Sequence, residues 1–311
     1  MSAHAPRSID DYLGQLRAAL AGQDPALIQD ALYDAEEYLR AEIAAHPNKS
    51  EADVLELIAS TYGAPEEVAA AYRDNEVKVK AALATPKPAA VRSDSELRRF
   101  FGVFLDARAY TSLFYMLLSL ATGVVYFTFV VVGLSVSAGL AILIVGVPFF
   151  LAFIGIARVI ALGEGRLLEA MTGERMPRRP VHPGPPASWL SRIGEMLKDV
   201  RTWTTLMYLL VMLPLGILYF TVTVTFLAIA LRWIFGPVVY LAGRLDWLPS
   251  NAEFDFITIN HHSFGSPHSL IAALFCMVLG VLLLTVVMHA ARGVARGHAR
   301  LAKALLVELG A

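Results

Sequence analysis

The sequence predicts an all-α protein, in which a small cytosolic helical bundle precedes a membrane module of four transmembrane helices. Three observations predict this fold class. Apolar residues make up 56% of the 311 residues and charged residues only 17%, compared with about 25% charged in an average soluble domain. Three long segments carry no charge at all. The apolar residues of the first 83 positions recur with the helical period.

Residues 1–83 are predicted to form four helices, because each apolar series follows a typical helix-start signal. These signals are, in chain order, Ser8 with Asp11, Asp24 with Pro25, Ser50 with Asp53, and Pro65 after Gly63. Residues 1–80 hold 15 acidic and 7 basic residues, whereas the remainder holds 12 acidic and 19 basic. Such an acidic segment is unsuited to phosphate contacts, so no nucleic-acid partner is expected.

Three stretches of this segment stand out: Asp11-Tyr12-Leu13, Asp34-Ala35-Glu36-Glu37-Tyr38-Leu39 and Tyr62-Gly63-Ala64-Pro65-Glu66-Glu67-Val68-Ala69. Together they resemble the HAAS domain family, a small helical bacterial signalling module often fused to or encoded beside membrane segments. The resemblance covers about residues 8–75 and implies signalling or regulation without chemistry. A generic acidic helical domain is the alternative.

Residues 84–93 are rich in Ala and Pro and are predicted to be a semi-rigid linker before the membrane module, residues 94–311. The charge-free segments are Ala109 to Ala157, Thr202 to Leu231 and Phe256 to Ala291. One span needs about 20 residues, so the first segment holds two. The predicted spans are about 110–132, 137–157, 204–230 and 269–290, with a turn near Gly133 to Gly139.

The orientation follows from the basic residues. With both termini in the cytosol, 17 of the 19 Lys and Arg after residue 80 lie on the cytosolic side, as the positive-inside rule requires. The first 40 residues contain no apolar core with a cleavage site, so the N-terminus is expected to stay cytosolic.

The module contains an internal repeat. At an offset of 93 residues, Asp106 to Thr128 matches Asp199 to Thr221 at 11 of 23 positions. At an offset of 134, Arg158 and Arg166 match Arg292 and Arg300. The repeats cover about residues 96–175 and 189–305, each with an interfacial amphipathic helix, and the second carries an external insertion at about 232–267. An even number of spans in each predicts parallel repeats around a pseudo-twofold axis.

This arrangement resembles the sensor domain family, a four-span membrane module of bacterial signalling proteins, some of them histidine kinases. The resemblance covers about residues 96–305. It rests on the topology, on Ile144-Val145-Gly146-Val147-Pro148, and on the exit helix from Ala157-Arg158 through Arg166. It implies a multi-pass protein of the bacterial inner membrane that senses or relays a signal. No kinase domain follows Ala311, so the expected output is through residues 1–83 or a signalling partner protein, and a homo-oligomer stays open.

Eight charged residues of the module are candidates for a structural or relay role. They are Asp106, Arg108, Asp199, Arg201, Arg158, Arg166, Arg292 and Arg300. Residues two apart on a helix do not face each other, so we expect Asp106 to pair with Arg201 and Asp199 with Arg108. Interfacial snorkelling is the alternative. An acidic bundle beside a basic membrane face also suggests an electrostatically docked state that could be released.

No enzyme, catalytic residue, cofactor or resident metal is expected. The sequence contains no Gly-x-Ser-x-Gly, phosphate loop or standard zinc motif. Candidate metal ligands in the external insertion are Asp255, His261, His262 and His268, and a solvated loop is the alternative. Besides the lipid bilayer as partner, two other functions stay open: a channel or lipid-handling groove lined by Tyr115, Tyr126, Tyr208 and Tyr219, and a metal-dependent membrane enzyme.

Overall fold

The computed structural model describes most of the chain, namely residues 5–83, 96–140, 146–177, 179, 194, 197–245, 247, 257–259, 262–264 and 270–307. The predicted linker and three of the four candidate metal ligands, Asp255, His261 and His268, lie outside these residues. The domain boundaries drawn from the sequence stay a prediction.

The described residues form an all-α fold with one small hairpin. The helices are α1 (Ile9–Ala19), α2 (Pro25–Ala45), α3 (Glu51–Thr61), α4 (Pro65–Leu83), α5 (Glu96–Phe101), a 3-10 turn (Gly102–Leu105), α6 (Ala107–Leu140), α7 (Gly146–Thr172), α8 (Val200–Ile234), α9 (Gly236–Arg244) and α10 (Leu270–Leu306). Strands β1 (Ile257–Ile259) and β2 (His262–Phe264) pair antiparallel, with Thr258 opposite Ser263. The hairpin and α9 lie in the insertion that the sequence analysis treats as a loop.

The chain divides into two compact units. The first unit contains Met1–Ala90, Thr128–Leu210 and His298–Ala311, and the second contains Val91–Phe127 and Val211–Gly297. We describe each by itself.

Helices α1 to α4, the N-terminal bundle, start where the sequence predicts. Ser8 and Ser50 accept hydrogen bonds at Oγ from the backbone N–H groups three residues on, and Asp24 accepts one from Ala26. These contacts satisfy N–H groups that have no partner within the helix. The core that the bundle buries comprises Tyr12, Leu16, Leu20, Ala31, Ala35, Leu39, Val54, Leu55, Ile58, Val68 and Ala69.

Tyr12 joins α1 to the turn before α4. Its hydroxyl donates to the carbonyl of Gly63 at 2.8 Å, and Gly63 has φ +112°, a conformation that favours glycine. In a Tyr12→Phe variant this carbonyl loses its partner, and we expect the bundle to be destabilised by about 1 kcal/mol. Hydrogen exchange of the full chain should show protection in α1 and α4 lowered about fivefold.

The control for this prediction is Tyr38→Phe. Tyr38 stacks on Tyr62, and within the described residues its hydroxyl makes no hydrogen bond. Equal losses of protection in the two variants would contradict the role given to the Tyr12 hydroxyl.

Four helices are long and apolar enough to cross a membrane: α6, α7, α8 and α10, with 34, 27, 35 and 37 residues. At 1.5 Å per residue, each exceeds the bilayer hydrocarbon core of about 30 Å. Their outer faces stay apolar. Val125, Leu218 and Phe275 are 60%, 55% and 63% exposed, as suits side chains in contact with lipid.

The predicted turn near Gly133 to Gly139 is wrong, because α6 continues through this segment to Leu140. Gly133 is instead a packing position: a Cβ there would collide with the ring of Phe153 on α7. The glycine therefore permits close contact between two helices and does not break one.

Helices α6 and α8 approach closely within the second unit. A Cβ on Gly123 would lie 2.6 Å from the carbonyl oxygen of Met212, and a Cβ on Gly216 would meet the backbone of Ser119 and Leu120. The two sets of contacts are related by the same offset of 93 residues. Two backbones can pack this closely only where a side chain is absent.

Candidate functional site

Three carboxylates surround the Arg175 side chain in the first unit. Its Nη2 donates to Asp30 Oδ2 at 2.7 Å and its Nε to Glu76 Oε2 at 3.3 Å. Its Nη1 donates to the carbonyl of Met176 and lies 3.6 Å from Glu169 Oε1. All four charged side chains are at most 8% exposed. We call these four residues the docking network, because they join α2 and α4 of the bundle to the end of α7.

Local structure positions each member. Asp30 lies beside Leu27 and Ala31 on the buried face of α2. Glu76 lies seven residues after the buried Ala69, on the same face of α4. Glu169 is in the last turn of α7, and Gly173, with φ +75°, ends that helix by donating to the Glu169 carbonyl at 2.9 Å.

The segment that follows α7, residues 173–177 together with 179, is called the connector here. Arg179 in the connector makes a second set of contacts with α2. Its Nε lies 2.8 Å from Asp34 Oδ1, its backbone N–H donates to Asp30 Oδ1 at 2.9 Å, and its guanidinium lies 5.7 Å from the ring centroid of Tyr33. Asp34 also accepts a hydrogen bond from Tyr72 at 2.9 Å. Burial, and next this hydrogen bond, raises the pKa of Tyr72, so the phenol stays a neutral donor.

Three further contacts tie α2 and its N-cap to other parts of the first unit. Gln29 donates from Nε2 to the carbonyl of Arg179 at 2.8 Å and accepts at Oε1 from Arg201 Nη2 at 2.7 Å. At the N-terminus of α2, Asp24 accepts from Lys303 Nζ at 2.6 Å. One helix of the acidic bundle thus contacts cationic side chains from the connector, from α8 and from α10.

A cavity of about 270 Å³ lies beside the docking network. It is lined by carboxylate, guanidinium, phenol and amide groups together with Leu27 and Val79. The arrangement contains no nucleophile with an adjacent base. Its chemistry is that of an ionic contact, held by charges that are costly to leave unpaired in a buried place.

The sequence analysis missed every member of the docking network. A signal was nevertheless present, because Asp30 and Glu76 interrupt the apolar faces of α2 and α4. An acidic residue in an apolar stripe is seldom buried without a partner. Three basic residues that follow the bundle in the chain, Arg175, Arg179 and Lys303, do pair with acidic residues of α2 and its N-cap in the first unit. A docked state that can be released stays a prediction.

Two carboxylates of the module have arginine partners that the sequence analysis does not name. Asp199 accepts from Arg158 Nη2 at 3.0 Å in the first unit, and Asp106 Oδ2 lies 3.0 Å from Arg292 Nη1 in the second. The pairs Asp106 with Arg201 and Asp199 with Arg108 stay predictions. Each aspartate thus pairs with the arginine at the exit of the other predicted repeat. Arg166 and Arg300 are both exposed.

Tyr208 forms a buried polar cluster with two residues that are 134 positions apart. Its hydroxyl donates to Glu164 Oε1 at 3.3 Å and lies 3.1 Å from His298 Nε2. All three residues are at most 2% exposed. Of the other three proposed groove tyrosines, Tyr115 is also fully buried, whereas Tyr126 and Tyr219 are partly buried.

Of the four candidate metal ligands, one lies within the described residues. Only His262 is described, and only as a residue of β2. Within the described ranges no group of three or more His, Cys, Asp or Glu residues is arranged to hold a metal ion.

The sequence places the chain in a known protein family. The sequence model of a family described as "Putative sensor" matches residues 115–306, well over half of the chain. No curated protein and no solved structure matches the chain.

Proposed function

Because the chain belongs to the family described as "Putative sensor", we propose that it is a membrane sensor that relays its signal by releasing the N-terminal bundle. In the resting state the docking network holds the bundle against the end of α7. A stimulus that moves α7 separates these charges and frees an acidic surface for a partner protein. The single observation that carries this proposal is the burial of Arg175 among three carboxylates.

A buried ionic contact suits a reversible latch. Removing two charges from water costs several kcal/mol per ion, and the attraction compensates only when the geometry is good. A small displacement that lengthens the hydrogen bonds of Arg175 would therefore remove much of the free energy that holds the bundle in place. An apolar interface of the same size would tolerate such a displacement better, because hydrophobic contact is not directional.

The released bundle is the proposed output. Its three stretches that resemble the HAAS family imply a signalling role, and the acidic residues of α2 and α4 would contact a basic partner surface. We place this bundle and both termini on the cytosolic side of a bacterial inner membrane. The support for this orientation is the distribution of 17 of 19 basic residues. No catalytic step is part of the proposal.

We also propose that the module consists of two parallel repeats. The support is a pair of reciprocal ion pairs. Asp106 of the first repeat pairs with Arg292 of the second, and Asp199 of the second pairs with Arg158 of the first. The same exchange relates Gly123 and Gly216. Such a pair of hairpins would shift in packing as a unit.

Zero-length crosslinking with a carbodiimide tests the docked state in the full chain. The reaction joins a carboxylate to an amine in direct contact, and Asp24 and Lys303 lie 2.6 Å apart. We expect the amide-linked Asp24–Lys303 peptide in the wild type by mass spectrometry. In Arg175→Gln, whose docking network has lost its only cation, its yield should fall at least tenfold.

The matched control is Arg40→Gln. This change also replaces one arginine by glutamine. Arg40, however, lies on α2 and pairs with Glu36, which is not a member of the docking network. Its crosslink yield should stay within twofold of the wild type. An unchanged yield in Arg175→Gln would contradict docking through this network.

A further inference from the structure

A second, smaller cavity of about 60 Å³ lies in the first unit where α7 and α8 carry their first charged residues. Arg158, Arg201 and Asp199 contribute charge to its wall, and Thr205 contributes a hydroxyl. Leu162 and Met176 belong to its apolar side. Among the described lining residues, two guanidinium groups accompany one carboxylate, so their net formal charge is positive.

Arg158 has hydrogen-bonding capacity left over in this wall. Its hydrogen-bond partners, Asp199 Oδ2 at 3.0 Å and Thr202 Oγ1 at 3.1 Å, both contact Nη2. Within the described part of the chain, its Nε and Nη1 make no hydrogen bond. A guanidinium presents five N–H groups in a planar fork, and this fork matches the oxygens of a phosphate.

The position of the cavity along the chain indicates the source of the phosphate. The charge-free segment from Ala109 ends directly before Arg158, and the charge-free segment to Leu231 begins directly after Arg201. Both arginines therefore lie at the boundary between the apolar spans and water, the level of lipid phosphates. We propose that this cavity, called the phosphate site, binds the headgroup phosphate of an anionic phospholipid.

The phosphate site shares Arg201 with the docked bundle. Arg201 donates to Gln29 Oε1 at 2.7 Å, and Gln29 is part of the same cavity wall. A phosphate oxygen is a stronger acceptor than a neutral amide, so a bound headgroup competes with Gln29 for this guanidinium. Occupancy weakens the docking of α2. This part of the inference rests on the proposed function and names the lipid as the stimulus.

The experiment is native mass spectrometry of the full chain in mild detergent. The probes are phosphatidylglycerol, phosphatidylcholine and inorganic phosphate, each added at the same concentrations. We expect one retained phosphatidylglycerol per chain and no retained phosphatidylcholine. An Arg158→Gln, Arg201→Gln double variant should need at least tenfold more phosphatidylglycerol for the same occupancy.

Two further variants separate a built site from general attraction and from misfolding. Arg296→Gln with Arg300→Gln removes the same charge from exposed positions of α10 outside the cavity, and its occupancy should stay within twofold of the wild type. The double variant Arg158→Lys, Arg201→Lys keeps the positive charges but loses the planar guanidinium groups. Its phosphatidylglycerol occupancy should lie between that of the exposed pair and that of the Arg158→Gln, Arg201→Gln variant. Thermal unfolding without added lipid checks that each variant is folded.

The site is overturned if the exposed pair lowers occupancy as much as the cavity pair, or if no lipid is retained. Displacement of phosphatidylglycerol by equimolar inorganic phosphate overturns the lipid assignment. The link to docking has its own measurement: phosphatidylglycerol in vesicles should lower the Asp24–Lys303 crosslink relative to phosphatidylcholine.

These outcomes distinguish the two proposals. If the lipid is retained but Arg175→Gln gives the same crosslink yield as the wild type, docking through the network is contradicted and the phosphate site still stands. A crosslink that depends on Arg175, in a protein that retains no phosphatidylglycerol, removes only the phosphate site.

Discussion

A Gly216→Val variant is expected to lose the folded membrane module altogether, whereas Gly216→Ala should lower the melting temperature by about 5 °C or more. The added Cβ would meet backbone atoms of Ser119 and Leu120. Backbone atoms inside a helix cannot move aside as a flexible side chain can. Overpacking of this kind costs about 1–3 kcal/mol for one methyl group and more for a branched side chain.

Thermal unfolding of the full chain in detergent, followed by tryptophan fluorescence, measures this effect. Gly123→Ala should give a similar loss, because its Cβ would lie 2.6 Å from the Met212 carbonyl oxygen. Gly155→Ala is the matched control. Apart from the backbone of its own helix, no described part of the chain lies within 4 Å of a Cβ at this position, and alanine favours a helix over glycine by about 1 kcal/mol. A loss at Gly155 as large as at Gly216 would contradict the close approach of α6 and α8.

Replacing Arg175 with Met is expected to destabilise the first unit by about 3–5 kcal/mol, since it removes the guanidinium that pairs with three buried carboxylates, those of Asp30, Glu76 and Glu169. Hydrogen exchange of the full chain measures the loss, which should be largest in α2 and α4. Adding Asp30→Asn and Glu76→Gln to Arg175→Met should restore much of the protection, because neutral amides do not repel one another.

The control in this series is Arg40→Gln. Its ion pair with Glu36 is partly exposed, with 30% and 16% of the two side chains accessible, so the expected cost is at most about 1 kcal/mol. If the triple variant is no more protected than Arg175→Met alone, the charge of Arg175 is not what stabilises the contact.

Local signals explain the elements that the sequence predicts well. The caps at Ser8, Asp24 and Ser50 act on the next three residues, and a charge-free run of sufficient length is a property of the chain alone. The turn predicted near Gly133 is wrong because its outcome depends on a distant residue. Glycine allows both a turn and a close contact, and the ring of Phe153, 20 positions away, decides between them.

The partners of charged residues also depend on contacts between distant positions. Sequence spacing excludes a contact between Asp106 and Arg108 on one helix, but it does not say which arginine of a distant helix lies within reach. Asp199 meets Arg158 across 41 positions, and Arg175 meets Asp30 across 145. Such partners are set by helix packing. A buried acid in an apolar stripe nevertheless indicates that a distant cation must exist.

The continuity of α7 has a mechanical consequence. The helix runs from Gly146, in the apolar segment, to Thr172, three residues before Arg175. An unbroken helix behaves as a stiff rod of about 40 Å at 1.5 Å per residue, so an axial displacement of its Gly146 end would reach Glu169 almost undiminished. Hydrogen bonds weaken over a few tenths of an ångström. In the proposed relay, an axial shift smaller than the rise of one residue would therefore be enough to separate the charges beside Glu169.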